Sequence, residues 1–335
     1  MKDRLFIIAE AGVNHDGSLK KAMQLIDAAV QANADAVKFQ SFSAKRLVRR
    51  GTELVPYQIG SAENHYDLLK ELELDEPQQI ELAEYAKSQG IEFLSTPYSE
   101  EDAIFLMNLG VKAIKVASAD IVDLGLHTLL CQRKVKVFAS TGMSTMDEVS
   151  RLAQLYKSFG NIDNLWLLQC VSNYPSSLKT QNLRVLDSYK SLVGSRLGFS
   201  DHTEGTISAL VAMGAGARVF EKHLTLDRSQ KGPDHQASLE PTEFLEYVDT
   251  LKKGFEALGM EAKQPQPEEL EMRRISRKGA YVNRHISPGE TIGISDVDLI
   301  RPAQGTDAWA TITKLPIVSK TSYMAGDLLS LEKND

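Results

Sequence analysis

Residues 195–226, SRLGFSDHTEGTISALVAMGAGARVFEKHLTL, contain two short apolar runs on either side of a helix-like segment. The first run leads to His202 and the second to His223, and charged residues stand beside both histidines. Each run is continuously apolar, which is typical of a parallel strand covered by helices. The stretch therefore predicts a strand–helix–strand unit, and core strands with no function would not need charged residues beside each histidine.

The same pattern repeats from the N-terminus to about residue 260. Amphipathic segments separate the apolar runs, and Ser18 and Asp75 are placed to cap two of the predicted helices. About eight such units over ~250 residues predict a (β/α)8 TIM barrel. A doubly wound open sheet is the alternative, but the first strand-to-helix turn has no G-x-G-x-x-G. The predicted strands are 5–12, 36–42, 91–97, 113–118, 136–141, 165–172, 195–201 and 218–226.

The composition changes after Gly259, which predicts a domain boundary. Residues 260–275 are rich in Gln, Pro and charge and are predicted to form a linker. Residues 276–335 contain short apolar runs between SPGE and AGD turns, without a helical period. They predict a small, mostly β domain that is marginal alone and docks on another surface. The barrel is then expected to span residues 1–259.

Charge and cysteine content narrow the classes of partner. The net charge of −7 argues against a nucleic acid or an anionic membrane surface. No apolar run reaches the ~18–20 residues that span a bilayer, and MKDRLFIIAEAG, residues 1–12, does not have the pattern of a signal peptide. Cys131 and Cys170 lie in or beside apolar runs and are predicted to be buried, reduced thiols. We expect a cytoplasmic location.

Polar residues follow nearly every predicted strand. In a TIM barrel the active site lies at the C-terminal ends of the strands. These strand ends carry Glu10, Asn14, His15, Lys38, Gln40, Ser95, Thr96, Lys115, Ser118, Asp120, Ser140, Thr141, Ser172, Asn173, Tyr174, Ser200, Asp201, His202, Lys222 and His223.

Two kinds of side chain at these ends indicate chemistry. His202 and His223 end consecutive strands, and two imidazoles with open positions suit a catalytic divalent metal such as Mn, Fe, Co or Zn. The alternative is that each histidine is structural. Lys38, Lys115 and Lys222 indicate either a charged cradle for a phosphate or carboxylate or one desolvated lysine that forms a Schiff base.

The loop GPDHQASLEP, residues 232–241, follows the last strand. Gly232 and Pro233 predict a turn from which Asp234 and His235 project. The loop is either a plain connection or a flap that contacts substrate hydroxyls.

The motifs together resemble the sialic acid synthases. The likeness rests on IAEAGVNHDGSL (8–19), VKFQSF (37–42), LSTPY (94–98), KVAS (115–118), STGMST (140–145), QCVSNYP (169–175), FSDHTEG (199–205), EKHLTLDR (221–228) and GPDHQASLEP (232–241). It continues into ISPGETI (286–292) and IRP (300–302), which resemble the antifreeze-like (SAF) domain of that family.

The resemblance implies an enzyme, a transferase that condenses phosphoenolpyruvate with an N-acylated mannosamine-type sugar and releases phosphate. It implies a metal at His202 and His223, usually manganese, with Mg²⁺ and Co²⁺ as alternatives, and a domain-swapped homodimer in which Arg301 reaches the partner's sugar. The catalytic positions that the resemblance implies are Glu10, Lys38, Lys115, His202 and His223. The substrate-binding positions that it implies are Gln40, Thr96, Tyr98, Ser118, Asp120, Ser172, Tyr174, Ser200, Asp234 and Arg301.

Two departures from the family pattern lie where sugar substituents are expected. Asp120 stands where the family usually has Glu, and RPAQG (301–305) replaces Arg-Pro-Gly-Asn-Gly. N-acetylmannosamine leads as acceptor, the 2,4-diacetamido-trideoxy-mannose precursor of legionaminic acid is second, and the pseudaminic acid precursor is third. Other hypotheses are a lysine-dependent pyruvate aldolase, a synthase for phosphorylated sugars, and a non-enzymatic carbohydrate-binding protein.

Overall fold

Eight parallel strands form the first part of the chain in the computed structural model, which describes residues 4–54, 64–304 and 307–331. The strands are β1 Phe6–Gly12, β2 Ala36–Ser41, β3 Glu92–Pro97, β4 Ile114–Val116, β5 Val137–Ser140, β6 Leu165–Cys170, β7 Leu197–Asp201 and β8 Val219–His223. Their order in the sheet is β3-β2-β1-β8-β7-β6-β5-β4, and β3 packs against β4. The sheet is therefore the predicted TIM-type barrel.

Helices follow the strands and cover the outside of the barrel. They are α1 Leu19–Gln31, α2 Ala44–Leu47, α3 His65–Leu72, α4 Glu76–Ser88, α5 Glu100–Leu109, α6 Leu124–Gln132, α7 Met146–Ser158, α8 Val185–Val193, α9 Ile207–Gly214 and α10 Pro241–Leu258. Both predicted caps are present, because Ser18 accepts a hydrogen bond from the Lys21 amide and Asp75 accepts one from the Gln78 amide.

Strand alternation decides which side chains enter the barrel. On β1, Phe6 and Ile8 face inward, whereas Ile7 and Ala9 pack against the outer helices. The inward side chains of several strands form one apolar layer: Phe6, Ile8, Ala36, Leu94, Ala113, Phe138, Trp166, Leu168 and Val219.

One residue from each strand, two positions beyond this layer, belongs to what we call the polar layer. Its members are Glu10, Lys38, Thr96, Lys115, Ser140, Cys170, Ser200 and Glu221. All eight are buried. The apolar layer forms the floor beneath them, and the fold brings seven polar groups and one thiol together at the C-terminal end of the barrel.

The chain divides into two compact units, Met1–Gly259 and Met260–Asp335. In the second unit, β9 Gly279–Val282 pairs antiparallel with β11 Val297–Ile300, and β10 Thr291–Ile292 pairs antiparallel with β12 Ile317–Val318. Its core consists of Ala280, Val282, Ile286, Ile292, Val297, Tyr323 and Leu329.

Two short helices in this unit were not predicted. Helix α11, Leu270–Ser276, begins within the segment expected to be a linker, and α12 spans Ala308–Thr313. Asp307 caps α12 by accepting hydrogen bonds from the amides of Trp309 and Ala310. Gly305 of the RPAQG loop lies outside the described residues.

Candidate active site

Two lysines and two carboxylates meet in the polar layer. Lys38 Nζ lies 2.7 Å from Glu10 Oε2 and 3.9 Å from Glu221 Oε2, and Lys115 Nζ lies 3.8 Å from Glu221 Oε1. Lys38 also donates a hydrogen bond of 2.8 Å to Thr96 Oγ1. A charged group buried this deeply requires a partner of opposite charge, and here each carboxylate contacts at least one ammonium group.

Burial and mutual attraction shift these four groups in different directions. Burial raises the pKa of Glu10 to about 7, although Lys38 opposes the rise. Burial also acts to raise the pKa of Glu221, but Lys115 and Lys38 bring it below its usual value. Burial lowers the pKa of Lys115, whereas Glu10 and Glu221 raise that of Lys38 against burial. Near neutral pH, Glu221 is therefore ionised and Glu10 exchanges its proton, which leaves the cluster suited to an anion.

His202 and His223 lie side by side above this cluster, with ring centroids 5.4 Å apart. The ring of Tyr174 lies 4.1 Å from that of His202 and 5.7 Å from that of His223. His202 Nδ1 donates a hydrogen bond of 2.8 Å to the Val171 carbonyl, so in the neutral ring the lone pair is on Nε2. Such a bond on the far nitrogen is typical of an imidazole that binds a metal.

The chemistry of His223 also fits a metal ligand. Burial holds the pKa of His223 well below its usual value, so the ring is neutral. Its Nδ1 is buried and has no hydrogen-bond partner among the described residues, and Asp234 Oδ2 lies 3.9 Å away. Within those residues no group of three or more His, Cys, Asp and Glu side chains is placed to hold a metal. Two imidazoles fit an open catalytic site better than a closed structural one.

Gln40 and Asp234 line one wall of this site. Tyr98 donates a hydrogen bond of 3.1 Å to Gln40 Oε1. A Cβ atom on Gly12 would stand 3.3 Å from both Glu10 Oε1 and Asp234 Oδ2. Gly12 has φ +52°, so space and backbone conformation both favour glycine where these polar side chains converge.

Ser118 and Ser172 approach each other on the opposite wall. A Cβ atom on Gly142 would stand 2.3 Å from Ser172 Oγ and 2.8 Å from Ser118 Oγ, so a side chain at 142 would displace both hydroxyls. Burial, with the neighbouring Asp123, raises the pKa of Asp120 to about 6. One oxygen of Asp120 is buried without a hydrogen-bond partner among the described residues, so it is available to a hydroxyl donor.

Lys222 does not join this cluster, and the expectation of three lysines in one cradle was wrong. Its side chain points outward, 3.3 Å from Asp201 Oδ2 and over the ring of Tyr247 on α10. The cause is strand alternation: Glu221 and His223 face the interior, so the residue between them faces the helices. Ser200 faces inward and donates to Glu221 Oε1 at 3.0 Å, whereas Asp201 faces outward beside Lys222.

Glu221 is the member of the cluster that the sequence analysis missed. The signal was present, because Glu221 precedes His223 by two residues and the side chains of a strand repeat every two residues. Cys170 was predicted only as a buried thiol. It is buried and free as expected, but it also lies inward, with Sγ 3.8 Å from His202 Nδ1.

Two other residues predicted at a strand end, Asn14 and His15, lie outside the cluster. Asn14 and His15 shape the loop after β1, where Asn14 donates to the Leu224 carbonyl and His15 Nδ1 accepts from the Gly17 amide. Arg301 belongs to the second unit, follows β11 and is exposed.

Among the described residues, every helix is too short or too polar to cross a bilayer.

Comparison with known proteins identifies the relatives of this chain. The NeuB family model matches residues 25–263. N,N'-diacetyllegionaminic acid synthase of Legionella pneumophila is 40% identical over 306 residues, which cover 90% of this chain and 86% of that protein. The Campylobacter jejuni protein of the same name is 35% identical over 97% of this chain and 99% of its own length. A solved N-acetylneuraminic acid synthetase from Leptospira borgpetersenii has a TM-score of 0.73 at 31% identity and covers 81% of this chain and 90% of that one.

Proposed function

The chain belongs to the NeuB family of nonulosonic acid synthases, and we propose that it condenses phosphoenolpyruvate with an N-acylated mannosamine-type sugar and releases phosphate. The observation that carries this proposal is the buried Lys38–Glu10 and Lys115–Glu221 cluster directly beneath two adjacent imidazoles. One substrate of this reaction is a small, highly charged anion, and the other presents an aldehyde.

Lys38 and Lys115 are proposed to hold the carboxylate and phosphate of phosphoenolpyruvate. Charge-assisted hydrogen bonds from ammonium groups to such oxygens are about twice as strong as neutral ones. Four hydroxyl groups are proposed to join the lysines: that of Thr96, which contacts Lys38, that of Ser200, which contacts Glu221, and those of Ser118 and Ser172. Both lysines already contact carboxylates, so an arriving anion would share their ammonium groups with Glu10 and Glu221.

His202 and His223 are proposed to hold a divalent metal, with Mn²⁺ as the first choice and Mg²⁺ or Co²⁺ as alternatives. When bound there, the metal would act as a Lewis acid on the aldehyde of the open-chain sugar. The fixed tautomer of His202 and the neutral state of His223 support this assignment.

The bond changes assign a proton-transfer role to Glu10. C3 of phosphoenolpyruvate forms a bond to the aldehyde carbon, whose oxygen takes up a proton, and water adds at C2 and loses one proton. The bond from C2 to the phosphate oxygen then breaks, the C2 hydroxyl becomes the keto group, and its proton leaves with the phosphate. A general acid and base works best when its pKa is near the working pH, and the pKa of Glu10 is raised to about 7. Glu10 therefore supplies and recovers the proton, while Lys38 and Lys115 offset the charge of the departing phosphate.

The acceptor sugar is proposed to lie against Gln40, Tyr98, Tyr174, Asp234 and Asp120. N-acetylmannosamine is the first acceptor expected from the sequence. The names of the two relatives at 40% and 35% identity favour instead the 2,4-diacetamido precursor of legionaminic acid. Asp120 is shorter than the glutamate usual in the family and leaves more room beside the sugar.

The second unit is proposed to be an antiparallel, antifreeze-like (SAF) domain, and residues 260–275 its connection to the barrel. In a domain-swapped homodimer its Arg301 would reach the N-acyl group of the sugar bound by the partner. The proposed cytoplasmic location rests on the reduced cysteines and the composition of the chain.

The test measures phosphate release from phosphoenolpyruvate with Mn²⁺ and each acceptor in parallel. We expect release that depends on the acceptor, ceases with EDTA, and is faster with the diacetamido sugar. Release only with a phosphorylated acceptor, or trapping of a pyruvate adduct by borohydride without metal, would replace the proposal with one of the alternative enzymes. Release that is indifferent to acceptor would refute it.

A further inference from the structure

Residues 232–238, which we call the flap, follow β8 and carry Asp234. The β1 loop, residues 13–18, lies against the flap. We propose that Asp16, His235 and Thr225 form a positioning unit that fixes the flap to the β1 loop and thereby aims Asp234 at the acceptor sugar. The role of Asp234 rests on the proposed function, whereas the fastening of the flap does not.

His235 is the centre of this unit. Its side chain is fully buried, Nε2 lies 3.0 Å from Asp16 Oδ1, and Nδ1 lies 2.7 Å from Thr225 Oγ1. A carboxylate oxygen only accepts hydrogen bonds, so Nε2 carries the proton and donates it. Both ring nitrogens are thus engaged. The ring links the flap to the β1 loop on one side and to Thr225, shortly after β8, on the other.

The flap backbone leaves room for this contact at Gly232. A Cβ atom there would stand 2.6 Å from His235 Cδ2, 3.0 Å from its Nε2 and 3.1 Å from Asp16 Oδ1. Its φ is not in the left-handed region, so the requirement for glycine is purely steric. Any side chain at 232 would press on the hydrogen bond between Asp16 and His235.

A second set of contacts holds the other end of the flap. Asn14 Nδ2 donates to Ser238 Oγ at 2.8 Å, and Ser238 Oγ donates to the Asp234 carbonyl at 2.6 Å. The β1 loop therefore contacts the flap on both sides of Asp234. Lys21 does not contact the flap residues 232–238 but pairs with Asp16, with Nζ 2.7 Å from Asp16 Oδ2.

The result of this double attachment is the placement of Asp234. Its carboxylate is buried, with Oδ2 3.9 Å from His223 Nδ1 and close to Gly12. The side chain of the adjacent His235 points the opposite way, into the β1 loop. His235 touches none of the proposed substrate groups and acts through Asp234, so it is a positioning residue.

Two pairs of variants test the proposal. Asp16 has φ +51°, a conformation that both Asn and Gly adopt readily. Asp16→Asn keeps an acceptor oxygen for His235 and loses the ion pair with Lys21, whereas Asp16→Gly loses both. Gly232→Ala disturbs the bond sterically, and Gly214→Ala is its control, because a Cβ atom on Gly214 meets no atom within 4 Å.

Hydrogen exchange of the flap peptide provides a readout independent of activity. The amides of Ala237, Ser238 and Leu239 donate within or beside the flap, at 3.2, 3.1 and 2.9 Å. We expect exchange at least about 10-fold faster in Asp16→Gly and Gly232→Ala, and close to wild type in Asp16→Asn and Gly214→Ala. Equal exchange in Asp16→Gly and Asp16→Asn, or in Gly232→Ala and Gly214→Ala, would overturn the fastening.

Steady-state kinetics then test whether the flap orients Asp234 toward the acceptor sugar. In Asp16→Gly and Gly232→Ala, kcat/KM for the acceptor should fall at least about 10-fold, while KM for phosphoenolpyruvate stays within about twofold. A merely structural lesion would reduce the active fraction and leave both KM values unchanged, which would overturn the positioning role. Wild-type protein without acceptor-dependent phosphate release would refute the proposed function, and exchange alone would then decide whether the fastening is real.

Discussion

Replacing Lys222 with Met tests whether this lysine stabilises the outside of the barrel instead of binding substrate. Lys222 lies between Glu221 and His223 along β8 but faces the outer helices, where its ammonium group lies 3.3 Å from Asp201 Oδ2. Methionine has similar length and fills the same space between β8 and α10. The substitution therefore removes one charge of a buried pair with little change in packing.

The expected loss of stability depends on the hydrogen-bond donors that Asp201 keeps in the variant. Breaking a buried ion pair by removing one partner costs roughly 3–5 kcal/mol. Asp201 keeps three donors, the Thr203 amide at 2.8 Å, the Thr203 hydroxyl at 2.7 Å and the Tyr247 hydroxyl at 3.3 Å. These bonds stabilise the remaining carboxylate, so we expect a loss of about 3 kcal/mol in the free energy of unfolding, at the low end of that range.

Urea unfolding followed by tryptophan fluorescence measures this loss. The chain has two tryptophans, Trp166 buried in the barrel and Trp309 exposed in the second unit. A Trp309→Phe background leaves Trp166 as the reporter of barrel unfolding. Arg4→Met is the matched control, because it removes one partner of the exposed Arg4–Asp35 pair at 3.1 Å and should cost less than about 1 kcal/mol.

Steady-state kinetics of the folded variant complete this test. We expect Lys222→Met to leave KM for phosphoenolpyruvate within about twofold of wild type, whereas Lys115→Met should raise it at least about 10-fold. The reasoning is refuted if Lys222→Met costs no more stability than Arg4→Met, or if it weakens phosphoenolpyruvate binding as much as Lys115→Met.

Three further predictions concern the metal, pH and the second unit. His202→Ala should abolish both turnover and the Mn²⁺ binding that calorimetry measures, and its circular dichroism spectrum should stay unchanged. If the variant keeps its activity or still binds Mn²⁺, His202 is not a metal ligand. Because the pKa of Asp120 is raised from 3.8 to about 6, its carboxyl group binds more protons in the folded than in the unfolded state between these values, and its contribution to stability falls as pH rises through this window. Asp120→Asn should therefore gain stability relative to wild type from pH 4 to 6 and hold that gain above, as urea titrations would show; a pH-independent difference would contradict it. Arg301→Ala should raise KM for the sugar far more than KM for phosphoenolpyruvate. Equal changes in the two KM values would show that Arg301 does not contact the sugar.

The barrel was predictable because its evidence is local. Each strand is a continuous apolar run, and helix signals such as the Asp75 cap stand between them. Helix α3 was missed within the polar stretch before Asp75, although Leu68, Leu69 and Leu72 of that helix are buried. Its short apolar face packs on Val13 and Phe42, contacts that a local pattern does not reveal.

The direction of side chains at the strand ends was harder to predict. In a barrel strand both faces are buried, so the sequence lacks the polar–apolar alternation that identifies the inward face of a half-exposed sheet. The apolar run alone does not distinguish Lys222 from Glu221, and only the two-residue spacing to His223 marks Glu221 as inward. In the structure Lys222 pairs with Asp201 outside and Glu221 with Lys115 inside. The link between Asp16 and His235 joins residues 219 apart in sequence and depends on closure of the barrel, which brings the loops after β1 and β8 together.

The most direct test of the account follows the bridging oxygen of phosphoenolpyruvate. The substrate is labelled with ¹⁸O between C2 and phosphorus and incubated with Mn²⁺ and the better acceptor, and the released phosphate is analysed by mass spectrometry. The account predicts that the label leaves with phosphate, because water adds at C2 and the C2–O bond breaks. Label retained in the sugar acid, or phosphate released without an acceptor, would contradict it.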